Sequence, residues 1–486
     1  MRRRNLFRGK MLSLQQNCKR MDDKFVLRDS AEVVNRKLDL LLRTGCLLME
    51  CSADTTRIMR TLKRTIAYLG LRSEHLHLYV NYTILMVNYH DDTHSYTNFR
   101  HCKKHIIDMA VISEVSRLSW RSIAEDMTLD EYEAVLSELG MKRNRYTPWQ
   151  VAIGSGFACG GFCIQFGCDW VSFFYASIAA ILGFRLKMYL GKRGMNVYAG
   201  TGISAFVATM IAWLFSLLSV GSFAAYTPQF LHSATPWHPL LACALFIVPG
   251  VPLINFVSDM LDGHIETGIT RATNTLLIVG SMSFGIALAI KICGINNFVT
   301  NLSMIPHHSY WEFAIAAAIS AMGFSMIYST PKRLLLPIAL GGIIAVCTRN
   351  FVNLGDSNGN IGLDQGIIIG SLAGSVLISL IITRAQHWYH TPHQCLSIPS
   401  VIPMVPGVFM YRALFAFIEM DGSVDQVLFG LNNLIKASLV ILCIALGVAL
   451  PHIFVHRLMA NKRKQRLIDS LNERNRLQLE KEGASV

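Results

Sequence analysis

The residues with chemistry to offer gather around a word that occurs twice. Val248-Pro249-Gly250-Val251-Pro252 lies inside an apolar run from Leu240 to Leu261, and Val405-Pro406-Gly407-Val408 recurs in a second apolar run. Proline removes an intrahelical hydrogen bond and glycine frees the backbone, so each word predicts a helix broken at membrane depth. Broken backbone there is tolerated only where protein or a water-filled cavity satisfies it. Two such breaks in corresponding halves of a chain point to a transport site. Polar residues follow each break: Asn255 and Asp259 after the first, Tyr411, Arg412 and Glu419 after the second. A charge at the centre of a membrane helix costs about 3 kcal/mol on insertion scales, so such residues face a cavity or a partner. Arg412 suits a substrate carboxylate through its two-pronged guanidinium. Asp259 or Glu419 could take up and release a proton during coupling. The candidate substrate site is therefore Pro249, Gly250, Pro252, Asn255, Pro406, Gly407, Tyr411 and Arg412, with Asp259 and Glu419 as proton-coupling residues. The plainer alternative is a pair of packing kinks, with Asp259 and Glu419 solvated at the membrane interfaces. Arg349 and Asp364, near the ends of other segments, are weaker candidates.

The elements that must carry these residues are long apolar helices. The chain has 486 residues, 52% of them hydrophobic and 16% charged, well below the charge of a soluble domain. Ten apolar segments are expected near 149–167, 170–188, 197–219, 240–260, 272–292, 311–328, 334–352, 364–384, 397–418 and 432–456, each about the length a membrane helix needs. Basic residues alternate between loops. Lys192, Arg193, Arg271, Lys332, Arg333 and Arg384 mark one side, whereas 220–239, 293–310, 353–363 and 419–430 contain no Lys or Arg. The positive-inside rule then puts both termini in the cytoplasm. Ten segments divide into five and five, 148–293 and 294–456, and an odd number per half inverts the second repeat. Asp262-Gly263 and Asp421-Gly422 extend the similarity past the two breaks.

Residues 29–147 read as an α+β domain. Asp29 and Glu32 form a candidate capping box before the periodic run Val33, Val34, Leu38, Leu41, Leu42. A second helix runs from near Ser52–Asp54 to Gly70. His75–Tyr89 reads as two strands, Asp91-Asp92 as a turn and Tyr96–Cys102 as the returning strand. Helices follow near 105–124 and 129–139, the latter opened by the capping box Thr128 to Glu131. Residues 1–28 form a basic tail without the apolar stretch of a signal peptide, and 457–486 a charged tail.

The net charge of +13 lies in the tails and alternate loops, which is the pattern of membrane orientation and not of a nucleic-acid partner. The partners implied are the lipid bilayer and a small-molecule substrate, and a homo-oligomer stays open. The twelve Cys show no CxxC pairing and read as packing residues. Gly156 and Gly160, and Gly366, Gly370 and Gly374, space small residues for close helix contact. His387, His390 and His393 lack a regular ligand spacing, so no metal is expected, and no cofactor is implied. There is no HExxH, no phosphate-binding glycine loop and no GxSxG. An enzyme is not expected, and Asp259 lacks the intramembrane Asp partner that an aspartyl protease would need.

Three stretches resemble the threonine/serine exporter family of bacterial inner-membrane proteins. They are Thr44-Gly45 with Cys51-Ser52-Ala53-Asp54-Thr55-Thr56-Arg57-Ile58, then Val248 to Asn255 with Asp259 and Gly263, then Val405 to Arg412. The resemblance covers roughly 30–456. It implies a cytoplasmic N-terminal domain, ten membrane helices and proton-driven export of small hydrophilic metabolites, most directly threonine or serine. Two-subunit relatives linked to dicarboxylate export leave succinate as an alternative, and a non-transporting membrane sensor or scaffold is a second. Family members often carry Gly at the position of Ser52, which puts the local turn in question.

Overall fold

The computed structural model describes residues 30–90, 94–102, 105–141, 145–220, 222–295, 308–356, 361–418 and 423–451. Both tails, the turn at Asp91-Asp92, the coupling candidate Glu419 and the pair Asp421-Gly422 lie outside the described residues.

The N-terminal region opens with α1 (Ala31–Glu50), whose apolar positions Val34, Leu38, Leu41 and Leu48 are buried. Its cap is Ser30, which accepts from the Val33 amide; the expected cap, Asp29, is outside the described residues. Helix α2 (Thr55–Tyr68) is capped by Asp54. Strands β1 (Leu76–Val80), β2 (Ile84–His90) and β3 (Ser95–His101) form an antiparallel sheet in the order β1-β2-β3. Leu78 faces Val87 and Tyr89 faces Tyr96 across the ladders. Alternation along β2 buries Leu85, Val87 and Tyr89, and the sheet packs on α1. Helices α3 (Met109–Ala124) and α4 (Leu129–Met141) complete the region. The expected capping box at α4 forms: the Thr128 amide donates to Glu131 Oε2 at 2.9 Å and the Glu131 amide to Thr128 Oγ1 at 3.3 Å.

The rest is a helical bundle. It comprises α5 (Pro148–Gln165), α6 (Trp170–Lys192), α7 (Val197–Ser216), the short α8 (Pro239–Ala242), α9 (Gly250–Leu261), α10 (Ile265–Ile292), α11 (Tyr310–Ile327), α12 (Leu335–Asn353), α13 (Gly366–Tyr389), α14 (His393–Val401), α15 (Gly407–Ile418) and α16 (Val424–Pro451). Among the described residues seven helices are long and apolar enough to cross a membrane, or nine if each of two bent pairs is one span. This is a mostly helical, multi-pass membrane architecture. The first expected segment, α5, is long enough but falls outside that count. Gly154, Gly156, Gly160 and Gly161 dilute its apolar content. Those glycines serve contact instead: a Cβ on Gly160 would lie 2.3 Å from Ser177 Oγ, and one on Gly161 2.6 Å from the Ala316 carbonyl.

Two expectations need correction. The fifth segment starts at Ile265, not near 272, so Arg271 is a buried helical residue and not a loop charge. In the triplet of α13, Gly370 and Gly374 would place a Cβ 2.6 Å and 2.5 Å from the backbone oxygens of Arg349 and Ala345, but Gly366 has open space around it. Gly366 has φ +81° and starts the helix, so its role is backbone freedom rather than packing. No disulfide joins the eleven described cysteines to one another. His393 is buried and lies 3.3 Å from Ser379 Oγ and 3.2 Å from Ser397 Oγ, the setting of a packed histidine.

Candidate functional site

The two Pro-Gly words build the same local structure. Each is preceded by a 3-10 turn, Leu245–Ile247 or Ile402–Met404. The Gly250 amide then donates to the Val248 carbonyl at 2.8 Å, and the Gly407 amide to the Val405 carbonyl at 2.9 Å. These i to i+2 bonds close tight turns about the prolines, and Pro249 has the inverse γ-turn angles φ −80°, ψ 63°. Helical bonding resumes at once, with Leu253 donating to Pro249 and Met410 to Pro406. The chain bends by 56° at the first break and 54° at the second.

The breaks face each other. Neither Gly250 nor Gly407 has positive φ, so the expected gain in backbone freedom is not what these positions use. They use the missing side chain. A Cβ on Gly250 would lie 2.4 Å from Ile402 Cδ1 of the second pair, and one on Gly407 would lie 2.8 Å from Leu245 Cδ2 of the first. A cavity of about 10 Å³ remains between them, lined by Phe162, Phe324 and the break residues. That is room for about one water. Tyr328, which sequence reasoning passed over, is buried here. Its hydroxyl has no hydrogen-bond partner among the described residues and lies 3.7 Å from the Gly250 Cβ position. It follows a helix end, and no spacing rule singled it out.

The polar residues after the breaks divide between two places. Tyr411 is buried and packs its ring against Phe415 at 5.5 Å. Arg412 is half-buried on the same helix, five residues beyond Gly407, or about 7 Å along the axis. Pro252 is half-buried in the first turn of α9. Asn255 and Asp259 are not at the cavity mouth. Asp259 lies nine residues from Gly250, about 13 Å along α9, and meets the N-terminal region. Its Oδ1 accepts from the Thr55 amide at 2.9 Å, and its Oδ2 lies 3.2 Å from Arg271 Nε. Asn255 Nδ2 donates to the Ser52 carbonyl at 2.9 Å, and Arg271 Nη2 donates to the Ala53 carbonyl at 2.6 Å.

The loop Ser52–Thr55 thus ends α1, starts α2 and plugs the far end of α9. Ser52 has φ 61°, the left-handed region that glycine prefers. The Ala53 amide donates back to the Leu48 carbonyl at 3.1 Å, as in a glycine-terminated helix end. The turn is therefore kept with serine in place, against a strain of roughly 1–2 kcal/mol. The reward is position: the first amide of α2 points at Asp259, where the positive end of the helix favours an anion. Arg271 was also missed as a partner. The available signal was an acidic residue closing one apolar segment and an arginine opening the next across the tight corner Asp262-Gly263.

Further contacts fasten the N-terminal region to the bundle. Tyr79 Oη donates to Glu266 Oε2 at 2.9 Å, the Met109 amide to the Tyr328 carbonyl at 3.0 Å, and Tyr146 Oη to the Thr330 carbonyl at 2.8 Å. His105 sits at this seam, stacked on Tyr82 with ring centres 4.0 Å apart and Nδ1 3.2 Å from the Met49 carbonyl. Burial holds its imidazole below the ordinary histidine range. The bond to Met49 and the carboxylate of Glu50 act the other way, and the charge of Arg271 pushes it lower. An unfolded or undocked His105 binds a proton more readily than the docked one. The stabilisation is therefore present above about pH 6.5 and is lost as pH falls through the lowered value. The protection of the Ser52–Thr55 amides, with exchange normalised to the intrinsic rate at each pH, should fall as pH drops from about 7.5 to about 5.5, and His105→Asn should flatten that dependence. An unchanged profile in the variant would remove His105 as its source.

Comparison with known proteins identifies the family. The threonine/serine exporter family pattern matches residues 39–293, and a second pattern of the same exporter name matches 313–454. The chain is 29% identical over 264 residues to the "Probable succinate transporter subunit YjjP" of Escherichia coli K12, covering 54% of this chain and 96% of that protein. It is 23% identical over 440 residues to the "Threonine/serine exporter" of Corynebacterium glutamicum, covering 89% and 85%. To the "Probable threonine/serine exporter" of Mycobacterium tuberculosis H37Rv it is 21% identical over 422 residues, covering 85% and 75%. No solved structure is a significant match. With the first pattern alone spanning more than half of its length, this chain belongs to the threonine/serine exporter family.

Proposed function

We propose that this protein is a secondary transporter of the bacterial inner membrane that exports threonine, serine or a closely related small carboxylate, coupled to protons. The observation that carries the reading is the reciprocal packing of two like breaks, each glycine seated against an apolar residue of the other pair. Matched bends of 56° and 54° support an inverted repeat, with halves at 148–293 and 294–456 and α5 counted as the first of ten spans. On this reading residues 29–147 form a cytoplasmic domain and both termini are cytoplasmic. Substrate enters when the breaks separate, because the cavity of about 10 Å³ is far too small for an amino acid. Arg412 then takes the carboxylate, and the orphan Tyr328 hydroxyl offers a hydrogen bond beside Gly250. Asp259 is the proposed proton site, governed by Arg271 and Thr55; Glu419 remains a second candidate.

A second reading, export of small dicarboxylates, is favoured by the match to nearly the whole of the succinate transporter subunit. Counterflow in proteoliposomes separates the two. Labelled threonine should accumulate against internal threonine and be displaced by serine. Displacement by succinate and not by serine would move the assignment to dicarboxylates. Absence of counterflow with any of the three would overturn transport of this class.

A further inference from the structure

A second cavity, of about 510 Å³, lies away from the breaks, between α3 and the connection from α11 to α12. Its volume is within the range of small-molecule sites. It is lined by Ser113, Glu114 and Arg117 of α3, by Arg145, and by Pro331, Lys332 and Arg333. Four cations thus surround one carboxylate. Glu114 is engaged by Arg145 in an ion pair, and among the described residues neither Lys332 nor Arg333 has a carboxylate within ion-pair distance.

The cations are gathered, not scattered. Arg117 donates from Nε to the His390 carbonyl at 2.9 Å and from Nη2 to the Tyr389 carbonyl at 3.3 Å and Thr391 Oγ1 at 3.5 Å. Arg333 Nη2 donates to the same Thr391 oxygen at 3.4 Å, so two guanidinium groups converge on one hydroxyl. Lys332 Nζ stands 5.8 Å over the Tyr146 ring. Like charges held this close repel unless an anion joins them. Lys332 and Arg333 also precede the N-terminus of α12, which no side chain caps, and cations at that end oppose the helix dipole. Orientation in a membrane needs positive loops, but it does not require them to line a cavity. Ser113, 1% exposed, belongs to the same lining, and its Oγ has no hydrogen-bond partner among the described residues. A buried hydroxyl left unpaired is costly.

We infer that this cavity binds a phosphate-bearing anion, which joins Ser113, Arg117 and Arg145 of the N-terminal region to Lys332 and Arg333 of the bundle. A phosphate group offers the several oxygens and the multiple charge that forked guanidiniums and a lysine together take up; a single carboxylate would leave most of them unneutralised. The group can belong to a soluble phosphate compound or to a phospholipid head. The site is separate from the transport cavity and does not depend on the substrate read there. Its occupancy strengthens the hold of the N-terminal region on the bundle, because it removes repulsion across their junction.

The test uses the full chain in nanodiscs of phosphatidylcholine alone and of phosphatidylcholine with phosphatidic acid, with inorganic pyrophosphate as the soluble probe. Pyrophosphate binding by calorimetry and a raised Tm in neutral discs identify a soluble ligand. A raised Tm in the acidic discs, with no further rise on adding pyrophosphate, identifies the lipid head. In either case Lys332→Gln with Arg333→Gln should weaken binding at least about tenfold, or cancel the lipid-dependent shift. Lys63→Gln, an exposed change on α2, should leave both intact. Each single variant serves if the pair lowers the yield of folded protein. The inference is overturned if neither probe shifts Tm, or if the variants respond as the unaltered protein does.

Discussion

Asp259→Ala is expected to destabilise the docked protein by about 3–5 kcal/mol, the usual consequence of removing one partner of a buried ion pair. The side chains of Arg271 and Asp259 are 7% and 1% exposed, so water cannot replace the lost carboxylate. Alanine leaves the Arg271 guanidinium without its counter-charge and takes away the acceptor of the Thr55 amide. The double variant Asp259→Ala with Arg271→Met should recover most of the loss, because an apolar replacement of both partners avoids the stranded charge. Thermal unfolding and limited proteolysis of the N-terminal region measure this. If the double variant is no more stable than the single, the pair is not the source of the loss. Asp259→Asn adds a functional readout. It keeps an oxygen for Thr55 but cannot release a proton. Loss of proton-driven export with counterflow retained supports coupling at Asp259; loss of neither excludes it.

Arg412→Ala should lower export by a factor of about 10 to 100, the worth of a charge-assisted hydrogen-bond pair to a carboxylate. The fall should appear in counterflow as well as in net efflux, because it strikes substrate binding rather than coupling. Arg412→Lys should recover part of the activity: lysine keeps the charge but not the fork. Wild-type rates for Arg412→Ala in proteoliposomes would remove it from the site. Arg349 is the natural comparison. It is buried, and its Nε donates to Asn350 Oδ1 at 3.1 Å, but it belongs to α12 and not to either break.

Much of the architecture was legible without coordinates, for identifiable reasons. A proline followed by glycine inside an apolar run has few alternatives to a break, and both words break their helices. Alternation along β2 and periodicity along α1 report which side of each element is buried, since burial follows directly from backbone period. Loop charge was less dependable. Arg271 looked like a topogenic loop residue, and only the extension of α10 back to Ile265 shows it buried within a helix.

The sequence by itself determined that there are two breaks, that polar residues follow each of them, and that a small α+β region precedes a helical bundle. These are local matters, set by backbone chemistry and hydrophobic period. The tertiary structure alone decided which groups meet. It turned Gly250 toward Ile402 and Gly407 toward Leu245, where the missing side chains allow contact. It separated Asp259 from the breaks and gave it to Arg271 and to the amide of Thr55, a residue more than two hundred positions away in the chain. No spacing rule reaches such pairs. They arise because a buried carboxylate must find a cation and a donor, and the fold supplies both from distant segments.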